Sequence, residues 1–86
     1  MTKTVSKKEL MEKLEMFVPV VARVHGPTHP EFYEVQKEFE NIKNEGNVDQ
    51  AFENLREITD HYKVPGDVCE SYEAVYTMLE QLDKSR

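Results

Sequence analysis

The side chains best suited to chemistry are three histidines and one cysteine: His25, His29, His61 and Cys69. Imidazole, thiolate and carboxylate together are the donor set of zinc and non-haem iron. His25 and His29 lie on either side of Gly26-Pro27, with Glu31 two residues further on. Asp60, His61, Asp67 and Cys69 surround a second break, Val64-Pro65-Gly66. The candidate metal ligands are therefore His25, His29, His61 and Glu31, a set suited to one iron or zinc ion. A plainer account stands beside this one. Polar residues collect at turns in any helical protein, and Glu31 also fits a helix-capping role. Cys69 opens a predicted helix, where a thiol pKa is lowered. With His25 or His61 it would form a nucleophile and base, although no motif supports that pairing. A half-buried inert thiol is the ordinary alternative.

Helical two-metal sites draw Glu-x-x-His or His-x-x-x-Glu pairs from inward faces, one turn apart. No histidine here has such a partner. Four residues after His25 comes His29, across Gly26-Pro27; four after His29 and His61 come Tyr33 and Pro65. The chain has no glycine-rich phosphate loop, no Gly-x-Ser-x-Gly elbow and no cysteine pair. Acidic residues such as Glu34, Glu38, Glu53, Glu57 and Glu73 read as solvated helix faces. Tyr33, Tyr62, Tyr72 and Tyr76 read as packing at the rim of the core.

Four elements must position these groups. The first opens at Ser6-Lys7-Lys8-Glu9, a capping box with Val5 and Leu10 at the staple positions. Leu10, Leu14, Phe17, Val21 and Val24 then recur at helical spacing. Pro19 removes one hydrogen bond and predicts a bend near Phe17 and Val18. Thr28-His29-Pro30-Glu31 is a second capping box, opening a helix striped by Phe32, Val35, Phe39 and Ile42. Asn47 opens a third, with Val48, Ala51, Phe52, Leu55 and Ile58. Asp67 caps a fourth, with Val68, Tyr72, Val75, Leu79 and Leu82. The expected fold is all-α: one domain over residues 1–86, an up-down-up-down four-helix bundle with helices near 6–25, 29–44, 48–62 and 68–84. In that topology the first and third turns share a pole, which would gather all three histidines and the cysteine. Met16, Phe17, Val18, Val20 and Val21 make the first helix apolar on more than one face, which suits a central position or a dimer contact.

Composition narrows the functions. The chain has 86 residues, 38% of them hydrophobic, with 11 basic and 17 acidic side chains and a net charge of −6. That balance argues against nucleic acid and against an anionic membrane surface. No apolar run approaches the roughly 18–20 residues of a membrane span. The basic start, Met1 to Lys8, has no apolar stretch behind it and does not read as a secretory signal. A lone cysteine suits a reducing cytoplasm.

Two stretches resemble a known family. The segment from Phe17 to Phe32, with Arg23-Val24-His25-Gly26-Pro27-Thr28-His29-Pro30-Glu31 at its centre, resembles the Arg-Val-His-Gly-x-x-His-Pro-Glu segment of the hemerythrin-like iron–sulfur cluster repair di-iron proteins (the RIC family). Leu55 to Tyr72 resembles a later segment of the same proteins, in which a helix end runs through a proline turn into a helix with cysteine near its start. The resemblance implies a hemerythrin-like bundle, a cytoplasmic setting, and a link to iron or to nitrosative damage of iron–sulfur centres. His25 sits in a matching motif; His29 and Glu31 match the pattern; His61 matches no family ligand. The family's His-x-x-x-Glu helices are absent, and Leu82-Asp83-Lys84-Ser85-Arg86 stands where the family continues into a further ligand helix. A full di-iron centre is therefore not expected in the monomer. The expected role is accessory and non-enzymatic, in iron or nitrosative stress, through a protein partner, a homodimer or weak iron binding. The alternatives are a small mononuclear iron or zinc protein and a metal-free interaction module.

Overall fold

The structure, a computed structural model, describes residues 7–85 and is built from four helices, with no strand among the described residues. They are α1 (Lys7–His25), α2 (Glu31–Lys43), α3 (Val48–Thr59) and α4 (Glu70–Lys84). The closest pairings are α2 with α3, α1 with α4, and α1 with α2. This is the expected four-helix bundle. The expected caps Val5 and Ser6 lie outside the described residues.

Each helix turns one apolar face inward. The α2 and α4 stripes read from sequence are buried from Phe32 to Ile42 and from Tyr72 to Leu82, joined by Tyr76 and Met78. The α1 face is rotated from the expected one. Leu10, Leu14, Val18, Val21 and Ala22 point inward, Phe17 is half-buried, and Val24 faces solvent. The helix runs on through Pro19, which lies on the exposed side.

Two expected capping boxes are replaced. Thr28 Oγ1 donates back to the His25 carbonyl at 3.2 Å, and α2 begins at Glu31 behind Pro30 with no side-chain cap. Asp67 does not cap α4; Cys69 holds the N-cap position, and the helix starts at Glu70. In both cases the carboxylate expected at the helix start (Glu31 or Asp67) is drawn to His29 instead. Asn47 does cap α3, accepting from the Gln50 N–H at 3.2 Å.

The α3 helix ends earlier than its apolar period suggests. Asp60, His61 and Tyr62 have φ of 54°, 61° and 65°, three successive left-handed residues without a glycine. Such residues cost about 1–2 kcal/mol each. The connection that follows runs through residues 60–69, longer than the tight turn expected there. Glu38, expected in solvent, is buried and accepts from Asn54 Nδ2 at 3.2 Å and, more weakly, from Asn41 Nδ2 at 3.4 Å. Amide donors satisfy its carboxylate oxygens.

Candidate functional site

The site lies where the α1–α2 turn meets the start of α4. Gly26 lets the end of α1 and the first turn of α2 approach. A side chain there would collide with the Ala22 carbonyl oxygen and the Tyr33 ring, so the turn after α1 closes only around a residue without Cβ. His25 ends α1, and its Nε2 lies 3.0 Å from Cys69 Sγ. His29 sits in the turn with Glu31 Oε2 3.0 Å from Nδ1 and Asp67 Oδ1 3.2 Å from Nε2. Residues far apart in sequence are thus clasped twice across one seam.

Both imidazoles stand against Tyr72. The His25 and His29 rings lie 5.4 Å and 5.5 Å from the Tyr72 ring, each near edge-on. Behind them Phe32 packs on Tyr72 at 5.0 Å and stacks on Tyr76 at 6.2 Å. The Tyr72 and Tyr76 hydroxyls are 2.9 Å apart and both side chains are fully buried. These two tyrosines are core residues, not rim residues as their polarity suggested; Tyr33 is the exposed one.

Electrostatics follow from these contacts. Burial raises the pKa of Tyr72 and Tyr76 above that of a free phenol. Their mutual hydrogen bond, in which either hydroxyl can donate, lowers Tyr72 and raises Tyr76. The negative charges of Glu31 and Asp67 raise Tyr72 further. Burial opposes charge on His29, yet the Glu31 bond and the attraction of Asp67 outweigh it and hold the pKa above 6.5. Only the imidazolium can donate from both nitrogens at once, so two carboxylates select the cation. The Cys69 thiol is lowered from 9.0 to about 7, first by the Tyr72 backbone N–H at the helix start and then by His25. It is exposed, so the expected half-buried thiol is not what the fold provides.

Of the four candidate ligands, His25, His29 and Glu31 come together. His61 does not join them. It is exposed on the left-handed turn and lines a separate depression with Arg56, Tyr62, Glu80, Asp83 and Lys84. Helix order alone puts His61 at the shared pole, but it lies on the left-handed turn at φ 61° and faces solvent. Asp67 and Cys69 are the partners that the ligand set omitted.

This end of the bundle is closely packed. The interior beside His25 and His29 is filled by Tyr72, Tyr76 and Phe32, all fully buried. No buried side-chain nitrogen or oxygen among the described residues lacks a hydrogen-bond partner that a metal would otherwise satisfy. No group of three or more His, Cys, Asp or Glu side chains among them is arranged to hold a metal ion. His25 and Cys69 form a two-donor edge open to solvent; both His29 nitrogens are engaged by carboxylates. None of the described helices is long and apolar enough to cross a membrane. Compared with family models, curated proteins and solved structures, the chain matches none.

Proposed function

We propose that this chain is a relative of the iron–sulfur cluster repair proteins with an accessory, non-enzymatic role in iron or nitrosative stress. Its working edge is the His25–Cys69 pair. One observation carries this reading: the two stretches that resemble the family fold onto each other, with His25 of the first 3.0 Å from Cys69 of the second. Thiolate and imidazole are both good donors to ferrous iron. Two donors leave most of a coordination sphere open, so the ion is held weakly and completed by water or by groups of a protein partner. A thiol lowered to about 7 is partly thiolate at neutral pH and ready to bind. A reducing compartment suits such a thiol.

Anaerobic titration with ferrous iron, and with cobalt(II) as its spectroscopic stand-in, tests the reading. A sulfur-to-metal charge-transfer band that saturates at one ion per chain, vanishes in Cys69→Ser and weakens in His25→Ala supports it. No band at millimolar cobalt overturns it.

A second reading is a metal-free interaction module. It is favoured by a ridge on α1, where Met16, Val20 and Val24 are 65%, 45% and 61% exposed and spaced one turn apart. Sedimentation at high concentration separates a second copy from another partner: Val20→Glu should abolish any self-association, and a clean monomer removes the homodimer.

A further inference from the structure

We propose that residues 60–69 form a spring-loaded strap, held closed by a latch between Tyr62 and Asp83, whose release withdraws Asp67 and Cys69 from His29 and His25. The spring is the left-handed run Asp60, His61 and Tyr62, with φ of 54°, 61° and 65°. L-residues leave this region when nothing holds them there, because Cβ crowds the following carbonyl. What holds them is local and dense. The Thr59 hydroxyl donates to the Leu55 carbonyl and accepts from the Tyr62 N–H, each at 2.7 Å. The His61 N–H donates to the Arg56 carbonyl at 2.8 Å and the Lys63 N–H to the Thr59 carbonyl at 2.9 Å.

The latch is the carboxylate of Asp83, on the last turn of α4. Oδ2 accepts from the Tyr62 hydroxyl and from Arg56 Nε, both at 2.8 Å, and Oδ1 accepts from the second Arg56 nitrogen at 3.0 Å. The Asp83 side chain is 9% exposed, so these bonds are shielded from competing water. The far end of the strap is held differently. Its clasps are the two exposed contacts at the site, Cys69 to His25 and Asp67 to His29. Between the two ends lies a cleft of about 250 Å³, lined by strap residues Asp60, Lys63, Val64, Pro65 and Gly66 on one side and by Glu31 and Tyr76 on the other. The strap is strained beside its buried latch, borders the cleft with Val64 and Val68 resting half-buried on the core, and ends on solvent-exposed clasps. Weakening the latch lets the strain act, and the clasps are the contacts that yield.

The mechanics need only the strap. Their consequence for function rests on the proposed role of the His25–Cys69 pair, so the experiment uses metal-free protein with a chelator present. Hydrogen exchange at the amides of residues 60–69 and the imidazole proton shifts of His25 and His29 are measured. Tyr62→Phe removes one hydroxyl from the latch and should speed strap exchange about fivefold, the worth of one hydrogen bond, with the four helices unchanged. The imidazole shifts should move towards free-histidine values. Adding His61→Gly, which accepts a left-handed φ without strain, should bring exchange back towards the parent rate. His61→Gly alone should slow strap exchange, which keeps the idea testable if Tyr62→Phe fails to fold. Unchanged strap exchange in a folded Tyr62→Phe protein, or faster exchange on adding or introducing His61→Gly, overturns the strap.

Discussion

Replacing Tyr72 or Tyr76 by phenylalanine should destabilise the protein, and replacing both should cost less than either replacement alone. The two hydroxyls are buried 2.9 Å apart and hydrogen-bonded to each other. Either single replacement strands the remaining hydroxyl among aromatic rings beside Phe32. Leaving a buried polar group unpaired costs about 1–3 kcal/mol. In the double variant no hydroxyl is stranded, and the loss should return to about 1 kcal/mol, the net worth of one hydrogen bond. At about 4–8 °C per kcal/mol for a domain of this size, a single replacement costing about 2 kcal/mol should lower Tm by about 8–16 °C. Urea unfolding of the four proteins gives the cycle. Additive losses, or a double variant less stable than both single variants, would refute the buried hydroxyl pair.

The His29 clamp predicts a pH dependence. A pKa held above 6.5 means that the stabilisation is complete below that value and is lost as pH rises through the raised one. The urea midpoint should therefore fall from roughly pH 6 to pH 8, and His29→Gln should flatten the slope. A Cys69→Ser background is needed, since a thiol lowered to about 7 stabilises in the opposite direction, its contribution fading as pH falls through that value. Gly26→Ala should cost about 1–3 kcal/mol in calorimetry, the usual penalty of overpacking, because the Ala22 carbonyl it meets is helix backbone and cannot swing away. Glu45, at φ 57° after α2, should gain about 0.5–1 kcal/mol on replacement by glycine, read as a higher urea midpoint at unchanged slope.

Much of the scaffold was visible in residue order. Stripes such as Phe32, Val35, Phe39 and Ile42 need no tertiary information, because a face that recurs every three to four residues has one way to be buried. Asn47 reads as a cap for the same local reason, and it is one. The α1 face was harder. Apolar side chains occur on two of its sides, so spacing alone could not choose between Phe17 with Val24 and Val18 with Ala22. Packing against α2 and α4 chose the second pair, leaving Met16, Val20 and Val24 outside. At the site, His25 and Cys69 could be placed at one end from topology, but not paired. A spacing cue did exist for the tyrosines: Tyr72 and Tyr76 lie four apart on a helix, which sets their hydroxyls one turn from each other.

Local order along the chain determined where helices start, which side is apolar, and that the polar side chains collect at the turns. Those properties arise from neighbours within one or two turns. Tertiary structure decided which carboxylate meets which imidazole, that His61 leaves the group, and that Glu31 and Asp67 serve His29 rather than a helix end. Those choices depend on distances between elements, set here by a left-handed turn at Asp60 to Tyr62 and a close approach at Gly26. A cap contributes about 1 kcal/mol in either setting; two carboxylates flanking one buried-edge imidazole compete with it successfully only once the fold has brought all three together.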